Sequence, residues 1–395
     1  MKYIQDWKRA ISIFILLLLG FSFITLQPLA SAQSNDVDWN LQTPDTSPAA
    51  RRAHGIAYDS ESDLMVLFSG GYISQSSLVK YGDTWTYDTN INSWNNVTPE
   101  VNPPSGGAGG FEYDSESDRV ILFGGVKLTE PYSCWNETWA YDTNSNTWEN
   151  MAPGVCPSAR ASHGMTYDSE SDVIVLYGGM PPDTAGQNGR GTAGDTWIYD
   201  YNTNTWTNMS PGFSPDYLYA FGFVYDSESD RTILFGGRFR NSTVTEERNE
   251  TWAYDYNTNT WTNMNPSVAP PIRSRFGMTY HAAWDKIILF GGDTENPDLT
   301  YSDTWTYDYN TNTWTQLDVE NHPSSRVYAS LTYDSESECI VLFGGMTSTY
   351  AVFDETWILE EKPPVEQPLI DPVILALLAG VILVIVILAI FSRKR

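Results

Sequence analysis

The sequence predicts an all-β fold in which six four-stranded sheets stand in a ring, followed by a single apolar C-terminal helix. Three observations carry this reading. First, one phrase recurs six times with variations: Tyr113-Asp-Ser-Glu-Ser-Asp-Arg-Val-Ile-Leu-Phe-Gly-Gly125, then Glu137-Thr-Trp-Ala-Tyr-Asp142 and Asn146-Thr-Trp148. Its leading tyrosines (Tyr58, Tyr113, Tyr167, Tyr225, Tyr280 and Tyr333) are spaced by 55, 54, 58, 55 and 53 residues. A fixed period of about 50 residues marks a repeat architecture. Second, each copy contains four short strand signals and no helical period. Third, a tryptophan stands ahead of the first copy, and the last copy lacks one at the matching place.

Within a repeat, the first strand ends in Tyr-Asp. The second is a fully apolar run such as Val120-Ile-Leu-Phe123, closed by glycine. The third is Thr-Trp-x-Tyr. The fourth surrounds a second Trp nine residues after the first, as in Trp85 and Trp94 or Trp305 and Trp314. Clusters of Asp, Asn, Ser and Gly between these runs suit tight turns, because their side chains bond their own backbone or tolerate unusual torsions. A lone four-stranded sheet cannot bury both faces, whereas radial stacking lets each blade cover its neighbours. Each buried Trp or Tyr then removes roughly 150–250 Å² from water.

This pattern strongly resembles the kelch family of β-propellers, in its double-glycine, Asp/Glu-Thr-Trp form. The pairs are Gly124-Gly125, Gly178-Gly179, Gly236-Gly237, Gly291-Gly292 and Gly344-Gly345; repeat one departs, with Ser69-Gly70 in the aligned place and Gly71 following. The resemblance spans about residues 38 to 360 and implies a six-bladed kelch propeller.

Ring closure follows from a ruler in the links between repeats. The second Trp is followed nine residues later by Pro and twelve later by the start of the next first strand, as in Trp148, Pro157 and Arg160. Trp39, Pro48 and Arg51 fit the same ruler, while position 366, nine after Trp357, is Glu. The strand around Trp39 is therefore expected to complete the sixth blade and leave no free sheet edge.

The flanks read as targeting segments. Lys2, Lys8 and Arg9 precede the apolar run Ile11–Leu26 and then Ala30-Ser31-Ala32, the layout of a secretory signal peptide over residues 1–32. An uncleaved anchor is the alternative. After the propeller (33–362) comes a Pro-rich stalk (363–372). Val373–Phe391 is then 19 apolar residues without a charge, enough for a transmembrane helix. A basic tail, Ser392-Arg-Lys-Arg395, follows and is expected in the cytoplasm. The expectation is a single-pass cell-membrane protein with its propeller outside.

A formal net charge of −27 excludes nucleic acid as a partner on electrostatic grounds. Because strands run up and down, the repeated Asp-Ser-Glu-Ser-Asp and Asn-Thr-Asn-Thr turns share one face. They read as structural turns, with a calcium role for the acidic clusters as the alternative. Repeat five replaces this turn by His281-Ala-Ala-Trp284-Asp285, either a contact patch or a packed turn. The opposite face carries the loops between strands two and three, which differ in length and share no motif. Rigid scaffolds place function on such loops.

Four first strands begin with arginine: Arg51, Arg160, Arg273 and Arg326. They are expected to ring the channel mouth on the variable face and to bind a ligand, since arginine captures carboxylate or sulfate bidentately. The resemblance supports this, because several kelch proteins hold acidic ligands with arginines at this position. The competing reading pairs each with the acid of the Asp/Glu-Thr-Trp motif, such as Asp83 or Glu355. Of three cysteines, Cys339 reads as a buried free thiol. Cys134 and Cys156 both fall on the variable face and, in an exported protein, are expected to form a disulfide. Sequons at Asn96, Asn136, Asn208, Asn241 and Asn249 are candidate glycan acceptors. Four scattered histidines and no ligand spacing give no metal or cofactor site. The sequence thus favours a surface module binding a protein or glycan over a sugar-modifying enzyme, of mutarotase or oxidase type, or a structural envelope component.

Overall fold

The computed structural model describes residues 37–73, 78–127, 133–181, 193–240, 245–294 and 299–362. The expected signal peptide, stalk, transmembrane helix and basic tail lie outside these residues. Among the described residues no helix is long and apolar enough to cross a membrane.

Six antiparallel four-stranded sheets are present among the described residues. Blade one runs Gly55–Asp59, Leu64–Phe68, Thr84–Asp88 and Ser93–Asn96, from the channel outward. Blades two to five repeat this order from Gly110–Asp114, Gly164–Asp168, Gly222–Asp226 and Gly277–His281. Blade six is assembled from both ends of the propeller. Ser330–Asp334, Cys339–Phe343 and Thr356–Glu361 are followed outward by Val37–Gln42, which pairs antiparallel with Thr356–Glu361. Trp39 lies opposite Leu359, and Leu41 opposite Trp357. The N-terminal strand therefore sits where the sequence ruler put it. No sheet closes on itself. The first strands of successive blades lie side by side instead, and that of blade six meets that of blade one.

The core is correspondingly divided into six wedges, one per gap between blades. Between blades five and six, Trp39, Ile288, Phe290, Leu331 and Leu342 pack together. Between blades six and one, Met65, Leu67, Trp94, Val341 and Phe343 do the same, with Cys339 among them as a buried free thiol. Alternate residues of a second strand serve opposite gaps: Met65 and Leu67 face blade six, whereas Val66 and Phe68 face blade two. A strand covered on both faces must be apolar throughout, which is why these runs do not alternate.

One hydrogen bond accompanies every wedge. The indole Nε1–H of each fourth-strand tryptophan donates to the motif threonine of the preceding blade: Trp94 to Thr356, Trp148 to Thr84, Trp206 to Thr138, Trp261 to Thr196 and Trp314 to Thr251. Trp39 completes the set by donating to Thr304 at 3.0 Å. A buried indole N–H needs a partner, so the Thr-Trp pairing in the repeat is an inter-blade device.

The repeated acidic turns are structural. Asp59 Oδ1 accepts from the backbone N–H groups of Glu61 and Ser62, and Asp114, Asp168 and Asp334 act alike in their own turns. In blade five His281 substitutes: its Nδ1 accepts from Trp284 N, and its ring stacks on Trp284 at 3.8 Å. That turn is therefore a packed one.

Candidate binding face

Of the two roles expected for the four strand-start arginines, the structure shows the pairing with the motif acid and departs from the channel-mouth placement. These residues do not line the channel mouth; each is buried inside its own blade, at most 1 % exposed. Arg51 grips Asp83 with two bonds of 2.7 and 2.8 Å, and Arg160–Asp195 and Arg273–Asp303 are equally bidentate. Arg326 bonds Glu355 at 2.7 Å. Each also donates from Nη1 to a backbone carbonyl, of Ser69, Gly178, Gly291 or Gly344, and from Nε to the residue two before it. With donors so occupied and aromatic rings over three of the guanidinium groups, little remains for a ligand. The partner carboxylates are held below their usual pKa: burial opposes this, and the arginine bonds outweigh it. Blade two has Gly106 at this position, and the ring of Trp135 fills the space.

The carbonyls of these residues also explain the double glycines. The N–H of Gly125 donates to Arg160 O of the next blade at 2.9 Å, and all six blades repeat this bond. A Cβ on Gly124, whose φ is +65°, would stand 2.7 Å from that oxygen. Ser69 tolerates the place in blade one because its hydroxyl donates to Gly106 O.

Two residues beyond each strand start, six residues with φ of 54–60° form a backbone necklace around the mouth: Ala53, Ala108, Ser162, Ala220, Arg275 and Tyr328. Each N–H donates to the carbonyl of the previous member at 2.7–3.2 Å, and Ala53 closes the circle by donating to Tyr328. Four members are small. Blades five and six instead place large side chains at left-handed torsions, a choice that costs stability and clusters at functional sites.

Around these two side chains the face becomes chemically distinct. Arg275 donates to both carboxylate oxygens of Asp293, and Arg238 bonds Glu247 at 2.9 Å while lying 3.9 Å from Asp293. Burial pushes the Asp293 carboxyl above its ordinary pKa despite both arginines. Arg238, Arg275 and Asp293 border a cavity of about 150 Å³ with Thr294, Met346 and Tyr350. The Thr294 hydroxyl is buried without a hydrogen-bond partner among the described residues. Arg52 and Arg275 approach the Tyr328 ring from 5.1 and 5.4 Å. Arg52 is partly exposed and has no acidic partner among the described residues. The sequence reading passed over it: of the doublet Arg51-Arg52, only the first follows the repeat, and the departure of the second was the available signal.

Cys134 and Cys156 form no disulfide in the structure, which corrects that expectation. Cys134 is buried with Sγ directed at Met180 O of the next blade, while Cys156 Sγ accepts from Asn136 Nδ2. Neighbouring blade contacts thus orient the two sulfurs separately. Sequon residues Asn96, Asn136, Asn208 and Asn249 are exposed; Asn241 lies outside the described residues.

The architecture defines a β-propeller of repeated blades with a constant turn face and an individual loop face. The chain belongs to the family described as the KLHDC2/KLHL20/DRC7 Kelch-repeats domain, whose model matches residues 28–217 and 184–363. It is 24 % identical over 258 aligned residues to Mei4-dependent protein 6 of Schizosaccharomyces pombe (strain 972 / ATCC 24843), an alignment covering 61 % of this chain. The chain spans only 35 % of that relative's length. Among solved structures it is similar to that of YjhT, with a TM-score of 0.62 at 14 % identity, over 79 % of this chain and 95 % of that one. That likeness concerns the fold.

Proposed function

We propose that the protein is a cell-surface binding module that takes a protein ligand on the loop face, over blades four to six. The observation that carries this is the broken symmetry of the necklace. Arg275 and Tyr328 replace small residues beside a cavity whose Thr294 hydroxyl has no partner among the described residues, next to the Arg52 cation, which has no acidic partner among them. An acidic group of the ligand meets Arg52, and an adjoining side chain enters the cavity. Large apolar side chains also stand exposed in this sector, Tyr350 and Leu299 in loops and Ile272 in a link. Such residues among polar ones favour a protein partner. The surface location rests on the sequence alone: the basic-apolar N-terminal segment and the 19 apolar residues before the basic tail.

Cells displaying the full chain, probed against arrays of surface proteins and of glycans, test this. Loss of a charge-assisted contact is expected to weaken binding about 10- to 100-fold in Arg52→Ala, and Tyr350→Ala should also weaken it. Asn202→Ala, on the turn face, should bind as wild type. Glycans bound in preference to proteins, or binding that only the turn-face variant disturbs, would overturn the reading.

A further inference from the structure

A second space lies at the other end of the channel and owes nothing to that face. There the channel widens to about 260 Å³, lined by a first-strand stretch from every blade. One residue before each leading tyrosine, six side chains border it: Ala57, Glu112, Thr166, Val224, Thr279 and Thr332. Glu112 is the only acidic residue of the lining. It has no hydrogen-bond or ion-pair partner among the described residues. Nor do the tyrosines serve it: Tyr58, Tyr113, Tyr167, Tyr225 and Tyr280 direct their hydroxyls to Asp63, Asp118, Asp172, Asp230 and Asp285 of their own turns. Besides these and Tyr333, no titratable group lines the space; His54, His163 and Arg275 border the separate opening at the loop end.

Protein surrounds Glu112, although its contact with the channel leaves it partly solvated. Burial alone pushes its pKa from 4.5 to about 8. A carboxyl so placed lacks the cation that would let it ionise, because a charge taken from water must be paired. The hydroxyls of Thr279 and Thr332 supply further acceptors, whereas Thr166 Oγ1 already accepts from Tyr225 N. Val224, Met278 and Leu331 give the wall an apolar part.

We propose that this space binds a small primary ammonium ion, its three N–H donors shared between the Glu112 carboxylate and threonine hydroxyls and its alkyl part against Val224, Met278 and Leu331. The match is chemical. An ammonium group has three donors and no acceptor, and a short alkyl tail suits the apolar part. Calcium takes six to eight oxygens, with carboxylates prominent among them, whereas this wall carries a single carboxylate. The acidity of the chain, −27 in formal charge, draws cations toward the channel and repels anions.

Calorimetric titration of the full chain in detergent with n-propylammonium chloride, in two buffers of different ionisation heat, tests the site. Binding is expected with a Kd of about a millimolar, accompanied at pH 7 by release of close to one proton as Glu112 ionises. Affinity should rise from pH 6 to pH 9 and then level off. Glu112→Gln, similar in volume, should lose at least tenfold in affinity and all of the proton release. If that variant fails to fold, the pH dependence and proton count of the unaltered protein decide. Absence of binding, binding without proton release, potassium bound as tightly as propylammonium, or an unaffected Glu112→Gln would each overturn the proposal.

Discussion

Replacing Trp39 by Ala tests the ring most directly. Trp39 is fully buried in the wedge between blades five and six, edge-on to Phe290 at 5.4 Å between ring centroids, and its N–H is bonded to Thr304, 265 residues away. Burial of roughly 150–250 Å² at about 25 cal/mol per Å² amounts to about 4–6 kcal/mol. Large-to-small substitutions of core tryptophans cost about 3–5 kcal/mol. A loss near 4 kcal/mol is therefore expected, against a total domain stability of about 5–15 kcal/mol. Trp39→Phe keeps most of the wedge and leaves Thr304 without its donor, so about 1 kcal/mol should be lost. Leu41, on the same strand but 49 % exposed, should tolerate Ala within about 0.5 kcal/mol. Urea unfolding of the full chain by circular dichroism measures all three, with Trp148→Ala, the same wedge inside the repeats, as the yardstick. A Trp39→Ala loss below about 1 kcal/mol beside a full Trp148→Ala loss would refute the assembly of blade six from both ends.

Two further predictions concern buried ionisable groups. His54 and His163 have pKa values lowered from 6.5 to about 3, first by burial and then by Arg51 and Arg160 respectively. Folded pKa values below the unfolded ones mean that unfolding takes up protons, so stability is complete above pH 6.5 and is lost as pH falls toward 3. By pH 5 the loss should be about 2 kcal/mol per histidine. His281 is likewise lowered by burial, to about 4, so His54→Phe should remove about one third of that slope; the His54 ring nitrogens have no partners among the described residues, and Phe221 and Phe276 hold the equivalent places. Denaturant titrations from pH 7 to pH 4 would show an unchanged slope if the account is wrong. Arg273→Ala strands Asp303 and should destabilise the fold by about 3–5 kcal/mol, whereas exchanging both for Met and Leu should restore most of it. A stable Arg273→Ala protein deficient only in ligand binding would return that arginine to the ligand.

Much of the architecture was legible because it is written in repetition. Six copies define equivalent positions, so departures such as Trp39 without a partner and Trp357 without a successor can be located by counting. The candidate sites were less legible. Arg51 and Arg52 are adjacent and chemically alike, and only the fold shows that one is buried on Asp83 while the other stands partly exposed against Tyr328. Glu112 sits among abundant acids, and its distinction is to face a shared channel instead of a turn. Cys134 and Cys156 share a face and still bond elsewhere, because each sulfur answers to its own contacts.

The sequence by itself determined the blade number, the strand order within a blade and the source of the last strand. These follow from local pattern, aromatic spacing and the need to cover apolar faces, and every copy states them again. The tertiary structure alone decided which cations are occupied, which side chains break the necklace and which acid faces the channel. Those outcomes depend on what each side chain meets once the blades stand around a common channel, whether within its own blade, as Arg51 meets Asp83, or across the mouth, as Arg52 meets Tyr328.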